Sequence, residues 1–200
     1  MQCQEVTLGS SYKIGFARPA LIRETVLVAQ FYRDLQDWSD VKDVIIKDNL
    51  LQTRTVRSAE ISYSEIRKRL SLLNDDQIEL LADDYPSDVG QITWIAICKQ
   101  YPFVADFTAE VLLPAQQSGR YEISFDDYSY FFSTKADWHP ELDKVSDKTR
   151  ANARQTLFQM MRQCSLLSDS NELIPQMLSL ALQNCSPESD LALIPGTIRL

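Results

Sequence analysis

Apolar residues recur at intervals of three and four along most of the chain, the spacing that places them on one face of an α-helix. The pattern predicts helices over 20–35, 40–47, 55–73, 75–83, 87–100, 102–117, 125–135, 146–167 and 173–184, with a turn or short helix at 139–144. Alternating runs are rare, and the expected β-structure is confined to a short strand at 119–124 and a small hairpin or arm in 191–200. The predicted fold class is mainly α, a helical bundle.

The predicted helix ends carry their own signals. Short polar side chains that cap helices precede three segments, at Ser39, Ser124 and Ser146. Pro114 should kink or end the helix predicted over 102–117, because its ring clashes with the preceding turn. Pro175 falls in the first turn of the last predicted helix, where a missing N–H is harmless.

Two of the predicted helices set an apolar stripe against a basic and polar face. In 55–73 the stripe consists of Val56, Ala59, Tyr63, Ile66, Leu70 and Leu73. The opposite face carries Arg57, Ile61, Glu65, Lys68 and Arg69. In 146–167 the stripe consists of Leu157, Met161 and Cys164. The face opposite this second stripe carries Lys148, Asn152, Gln155, Gln159, Arg162 and Gln163.

The same two helices show a weak internal sequence similarity. Residues 55–73 and 149–167 share an opening Thr and a Ser-Leu-Leu ending, and each follows a short segment that contains a tryptophan, Trp38 or Trp138. Helix, short helix, turn and long helix with a basic start is the order of a helix-turn-helix. We therefore predict two helix-turn-helix or winged-helix-like units, 1–74 and 119–200, around a central helical core, 75–118, within one compact fold.

The charge of the chain is unevenly distributed. The formal net charge is −8, which disfavours a surface that is basic throughout. However, 54–69 holds five Lys or Arg against two Glu, and 144–162 holds five against one Asp. An acidic segment, 75–88, has no Lys or Arg. Because salt screens exposed charges beyond roughly 8 Å, these local concentrations matter more than the total.

Residues suited to catalysis or metal binding are few. His139, the single histidine, lies between Trp138 and Pro140 and is interpreted as part of a packed corner between helices. The pairs Asp83–Asp84 and Asp126–Asp127 are interpreted as surface and helix-start charges. Glycine-rich phosphate-binding loops are absent from the sequence. We expect no enzymatic activity, no metal and no cofactor.

Cysteine usage and hydropathy indicate a cytoplasmic location. The cysteines (Cys3, Cys98, Cys164 and Cys185) are scattered and form no C-x-x-C pair, which is typical of reduced thiols. The longest apolar run, 92–98, is far shorter than the ~20 residues of a membrane span. The first residues lack the basic and apolar regions of a secretory leader, so we expect no membrane association.

The two basic helices suggest nucleic-acid binding. Lys and Arg bind phosphates, while Arg, Asn and Gln can also bond base edges. The predicted contact residues are Arg54, Thr55, Arg57, Lys68, Arg69, Lys148, Arg150, Asn152, Arg154 and Arg162. The alternative for each helix is a solvated face on which arginine stems cover apolar surface.

Four stretches of the sequence resemble the BrxA family, the small component of bacteriophage-exclusion (BREX) defence systems. They are GFARPALIRETVLVAQFY (15–32), NLLQTRTVRSAEISYSEIRKRL (49–70), the AICK region before Tyr101, and KADWHPELDKVSDKTRANARQTLFQMMRQCSLL (135–167). The resemblance covers roughly residues 12–170 and includes no catalytic motif. The family has been labelled an inner-membrane protein, which the lack of an apolar span in this sequence contradicts.

The resemblance implies a phage-defence factor that binds nucleic acid.

 Members of the family are encoded beside a methyltransferase, an ATPase and a phosphatase-like protein. The family has also been likened to the RNA-binding antitermination protein NusB. The resemblance therefore implies double-stranded DNA as the first partner, RNA as an alternative, and other BREX proteins as further partners. A hypothesis from a different functional class also remains open. In this hypothesis the protein is a protein-interaction adaptor whose acidic segment, 75–88, binds basic partners.

Overall fold

The computed structural model describes residue 12 and residues 14–197, which are mostly helical. The first helices are α1 (Ile22–Leu35), α2 (Trp38–Lys47), α3 (Val56–Leu70), α4 (Asp75–Ala82) and α5 (Pro86–Gln100). They are followed by α6 (Pro102–Phe107), α7 (Leu113–Gln117), α8 (Phe125–Ala136), α9 (Pro140–Asp143), α10 (Asp147–Gln163), α11 (Leu180–Cys185) and α12 (Glu188–Leu191). Within these residues β-structure is limited to isolated bridges, which confirms the mainly α fold class. None of the described helices is long and apolar enough to cross a bilayer.

Helix α5 lies between two hydrophobic clusters and contributes to both. Ile92 and Ile95 pack into a cluster built mainly from α1 to α4. Trp94 and Ile97 pack into a second cluster with side chains of α6, α8 and α10. Burial of both clusters removes large apolar areas from water, the main favourable contribution to folding. Every residue of α5 from Gln91 to Cys98 is buried, so α5 is the central helix of the fold.

The C-terminal segment returns to the N-terminal half of the molecule. Leu182 of α11 and Ile194 belong to the cluster formed by α1 to α4, and Asn74 donates a hydrogen bond to the carbonyl of Cys185 at 2.9 Å. The side chain of Gln77 bonds Ser186 and Asp190 at 2.9 and 3.0 Å. The division of the chain at 74 and 118 stays a prediction.

Side-chain caps define several helix starts. Ser124 and Ser146 cap α8 and α10 as predicted, since each hydroxyl accepts from the backbone N–H three residues on. The prediction for Ser39 was wrong, because Asp37 caps α2 two residues earlier and accepts from the N–H groups of Ser39 and Asp40. A carboxylate at this position also interacts favourably with the helix dipole.

The helix predicted over 102–117 contains a π-helical turn at Thr108–Leu112 between α6 and α7. Pro114 follows this turn as the second residue of α7. Proline cannot donate to the carbonyl four residues before it, and its ring needs extra space there. A wider turn just before a proline supplies that space. Pro114 therefore perturbs the helix as expected, and the chain stays helical to Gln117.

The helix predicted over 173–184 was wrong in its first half. Residues before Leu180 are extended: the Ile174 N–H bonds the Leu166 carbonyl at 2.9 Å, and the Gln176 N–H bonds the Gly196 carbonyl at 2.8 Å. Ile174 precedes Pro175, and a residue before proline disfavours the α conformation. The extended segment and the residues that follow α12 thus pair through an isolated parallel bridge between Gln176 and Thr197.

Other predicted boundaries also shifted. The strand predicted over 119–124 is reduced to one antiparallel bridge between Glu122 and Glu172. Helix α10 ends at Gln163, where Ser165 adopts a left-handed conformation with φ of 58°, so it is shorter than the predicted 146–167. In place of the hairpin or arm predicted in 191–200, Leu191 ends α12, turns follow, and Thr197 forms the isolated bridge with Gln176; residues 198–200 lie outside the described residues.

Candidate nucleic-acid interface

The start of α3 presents basic side chains to solvent. Arg54 and Arg57 are exposed and form no ion pair with the described residues. Thr55 is the N-cap of α3, and its hydroxyl oxygen accepts from the Ser58 N–H at 3.1 Å. Thr55 thus has a structural role as a helix cap, which the sequence pattern did not distinguish from a nucleic-acid contact. The helix dipole adds to the positive potential of this end.

The other half of the predicted α3 face separates in the structure. Lys68 is exposed, as predicted, and Arg67 next to it is exposed too. The prediction for Arg69 was wrong, because its side chain is shielded from solvent and cannot reach a nucleic acid. Glu65, placed on the same face, is buried as well, whereas Val56 of the predicted apolar stripe is 63% exposed. The buried side of α3 is therefore rotated toward Glu65 and Arg69.

Arg69 is the centre of a buried polar cluster. Its Nη2 lies 3.2 Å from Oε1 of Glu65, and its Nε donates to Gln100 at 3.2 Å. Tyr101 donates its hydroxyl hydrogen to the same carboxylate. Burial and then this hydrogen bond to Glu65 raise the pKa of Tyr101 far above its ordinary value. Hydrogen bonding satisfies the buried charges, and it leaves Arg69 with a structural role.

Arg69 also holds the segment that precedes α1, residues 14–20, which we call the strap. Its guanidinium donates to three consecutive carbonyls, those of Arg18, Pro19 and Ala20, at 3.1, 2.8 and 2.9 Å. The N–H of Ala20 donates to the side chain of Gln163 at the end of α10. The strap is thereby bound to both basic helices at their C-terminal ends.

Helix α10 exposes one polar stripe. Its members are Lys148, Asn152, Gln155, Gln159 and Gln163. Their spacing of three and four residues places them on one line along the helix. The buried stripe of Leu157, Met161 and Cys164 is confirmed on the other side. Lys148 and Asn152 are thus accessible to a ligand, as predicted.

The arginines of α10 lie beside this stripe and contact aromatic rings. The guanidinium of Arg150 lies 4.3 Å from the ring centre of Phe132, and that of Arg154 lies 4.4 Å from the ring centre of Phe125. Arg150 also donates to the Ser129 carbonyl at 3.1 Å. Both rings belong to α8, so these arginines cover apolar surface and are held in fixed orientations. Each remains partly exposed.

Arg162 is held by a contact outside α10. It is half-buried and donates to the side chain of Asn171. Its Nε is buried and has no hydrogen-bond partner among the described residues. The sequence pattern could not reveal this, because Asn171 reaches α10 only through the turn that follows the helix.

The other residues considered for chemistry have structural contacts. His139 stacks on Tyr12, with ring centres 3.7 Å apart and planes inclined by 6°. Asp127 forms a capping box with Ser124. Partial burial raises the pKa of Asp127, but hydrogen bonds from Ser124 and the Arg120 guanidinium outweigh it and hold that pKa below its ordinary value. Both environments are those of a folded corner and a helix start.

The acidic segment is only partly neutralised. Its exposed members are Asp75, Asp76, Glu79, Asp83 and Asp84, whereas Asp88 is buried. Arg33 of α1 pairs with Asp83 at 3.0 Å and lies 3.6 Å from Glu79. The molecule therefore has an acidic surface on α4 in addition to the basic starts of α3 and α10.

These features define a mainly helical protein with cations at the start of two long helices, α3 and α10, that form no ion pair with the described residues. The model of the BrxA family matches residues 10–189, and the chain belongs to the BrxA family, which confirms the resemblance. The BREX protein BrxA of Escherichia coli O9:H4 (strain HS) is 24% identical over 139 residues, a match that covers 70% of this chain and 65% of that relative. This chain thus aligns with less than two thirds of the relative's length.

A solved structure shares the fold. The crystal structure of an uncharacterized protein from Magnetospirillum magneticum has a TM-score of 0.79 with this chain at 16% sequence identity. The similarity covers 94% of this chain and 100% of the other. At this identity the comparison establishes the common architecture alone.

Proposed function

We propose that this protein is a non-enzymatic component of a BREX anti-phage defence system that binds double-stranded DNA. Membership of the BrxA family supports the link to BREX defence, since the relative from Escherichia coli carries the name BREX protein BrxA. Other BREX proteins are the expected protein partners. The observation that carries the DNA-binding proposal is the pair of exposed cations at the start of α3, Arg54 and Arg57, which have no ion-pair partner among the described residues.

The packing of the first helices supports a helix-turn-helix interpretation. Helices α1, α2 and α3 contribute to one hydrophobic cluster, with Val28, Ile45 and Ile66 fully buried. In a helix-turn-helix the last helix of such a unit enters the major groove, and its N-terminal residues contact the DNA. Arg57 is the second residue of α3, and Arg54 lies two residues before the helix begins.

Helix α10 offers a second set of contacts. Lys148 is suited to a phosphate, while Asn152 and the glutamines of the exposed stripe are suited to base edges. Arg150 and Arg154 are ordered by their rings on α8, which lowers the entropy lost when they bind. Binding through phosphates releases counterions, so affinity should fall steeply as salt rises.

A salt-titrated gel-shift assay with duplex DNA, single-stranded DNA and RNA tests the proposal. We expect the protein to bind the duplex at low salt and to prefer it when single-stranded DNA or RNA is added as a competitor. Replacing Arg54 and Arg57 together by Glu should weaken binding several-fold in a variant with unchanged circular dichroism. Unchanged affinity in this folded variant would show that α3 is not part of the binding site. A preference for RNA over the duplex would show that RNA, not DNA, is the ligand.

A second candidate is a protein-interaction adaptor, which the exposed carboxylates of α4 favour. If the protein retains no nucleic acid at low salt but binds a purified BREX protein, the adaptor function replaces DNA binding. Replacing Asp75 and Asp76 by Asn would then weaken that complex. Under the DNA-binding proposal the same substitutions leave duplex affinity unchanged or raise it slightly, because they remove repulsion of phosphates.

A further inference from the structure

Arg18, in the middle of the strap, has a half-buried guanidinium held by α3. Its Nε donates to the Ser62 hydroxyl at 3.0 Å, and its Nη2 donates to the Ser58 hydroxyl at 3.0 Å. Nη1 makes no hydrogen bond to the described residues, and Arg18 forms no ion pair with them. Arg18 is therefore a fixed cation whose charge is not neutralised by any carboxylate of the described residues.

Ser58 places this cation beside the basic start of α3. Ser58 is the third residue of α3, and its N–H is the one that Thr55 caps. Arg54 and Arg57 flank the same first turn and are exposed. The guanidinium of Arg18 thus adds a third cation to this end of the helix.

The opposite end of the strap lies beside the start of α10. Ile14 and Gly15 line a cleft of about 240 Å³ together with Val145 and Thr149. Just before the strap, the N–H of Tyr12 donates to Glu141 of α9 at 3.1 Å. The strap therefore begins beside the start of α10 and ends at the C-terminal ends of α3 and α10, while the Arg18 side chain reaches back to the first turns of α3.

The length of the strap limits the distance between Arg18 and Gly15, which lies beside the start of α10. Gly15 and Arg18 are three residues apart, so their Cα atoms are separated by at most roughly 11 Å. The Arg18 backbone is consequently close to the start of α10, whereas its side chain contacts Ser58 at the start of α3.

We propose that Arg18 is a phosphate-binding residue that joins the basic starts of α3 and α10 into one DNA-binding surface. This inference rests on the proposed DNA-binding function. Two edges of the guanidinium are occupied by serine hydroxyls, which leaves one nitrogen and the full charge for a ligand. A charge held in this way favours a phosphate oxygen over a pattern of base atoms.

The test is the salt dependence of duplex binding by the full chain, measured by fluorescence anisotropy. Each phosphate contact contributes about −0.9 to the slope of log affinity against log salt concentration. Arg18→Gln should make the slope shallower by about that amount, whereas Arg18→Lys should keep the wild-type slope. Arg23→Gln, an exposed arginine on α1, is the control for the loss of one charge.

A slope for Arg18→Gln that equals those of wild type and Arg23→Gln overturns the inference and leaves the DNA-binding function standing. Failure of the wild-type protein to bind duplex DNA overturns the function itself. If Arg18→Gln does not fold, a double variant with Ser58→Ala and Ser62→Ala keeps the charge but removes its supports. Its affinity should fall at an unchanged slope, and an unchanged affinity would contradict the proposed role.

Discussion

The Arg69 guanidinium and the Glu65 carboxylate pair at 3.2 Å inside the protein, one turn apart on α3. Both residues come from a helix face that the sequence pattern assigns to solvent. The pair fixes the rotation of α3 and, through the carbonyls of residues 18–20, the position of the strap.

Loss of the Arg69 charge should be strongly destabilising. Arg69→Met leaves Glu65 as an uncompensated buried charge, and we expect the free energy of unfolding to fall by about 3–5 kcal/mol. Urea denaturation followed by circular dichroism measures this change. Arg67→Ala, at an exposed position two residues earlier, should stay within about 0.5 kcal/mol of wild type. Equal stabilities of the two variants would place Arg69 at the surface.

Gly90 should not tolerate a methyl group. A Cβ atom there would lie 2.7 Å from the carbonyl oxygen of Cys164, where α5 meets the end of α10. Gly90→Ala should therefore lower the free energy of unfolding by about 1–3 kcal/mol, although alanine normally favours a helix. The matched control is Gly15→Ala, whose Cβ would meet no atom within 4 Å. A stabilised Gly90→Ala variant would show that α5 and α10 are farther apart.

Thiol reactivity should separate the cysteines. Burial raises the pKa of Cys98 to about 12 and outweighs its hydrogen bond with Thr108, and burial also raises the pKa of Cys164. At pH 8 both thiols are therefore protonated and inaccessible, whereas Cys185 is half-buried. Alkylation with peptide mapping should modify Cys185 well before the other two. Rapid modification of Cys98 in the folded protein would contradict its place in the core.

The exposed stripe of α10 should divide into two kinds of contact. Lys148→Ala should make the salt dependence of duplex binding shallower by about one phosphate contact. Replacing Asn152, Gln155 and Gln159 by Ala should instead reduce discrimination between DNA sequences at an unchanged slope. Binding assays with a panel of duplexes measure both effects. If neither variant changes slope or discrimination, α10 lies outside the interface.

Local patterns were sufficient for the main elements of the fold. The spacing of apolar residues predicted α1 to α5, α8 and α10, and the serines before α8 and α10 predicted their caps. These signals depend on residues a few positions apart, which is why they can be read without tertiary structure. The prediction for the extended segment around Pro175 failed because the hydrogen-bond partners of this segment, such as Gly196, lie elsewhere in the chain.

The candidate site was predictable only where exposure follows from helix periodicity. Arg54, Arg57, Lys68, Lys148 and Asn152 are exposed as the pattern indicates. Arg69 was misplaced because its partners are backbone carbonyls about fifty residues away in the sequence and the side chain of Gln100 at the end of α5. Arg18 was missed because its position depends on serine hydroxyls of α3 rather than on any regular spacing.

The most direct test of DNA binding through α3 compares two matched charge reversals. Arg57 and Arg23 are both exposed, and each is the second residue of its helix, α3 or α1. Replacement by Glu changes the net charge equally and meets the same helix dipole in both cases. Measured by fluorescence anisotropy on duplex DNA at low salt, Arg57→Glu should lose affinity several-fold while Arg23→Glu stays close to wild type. Equal affinities of the two variants would contradict DNA binding through α3.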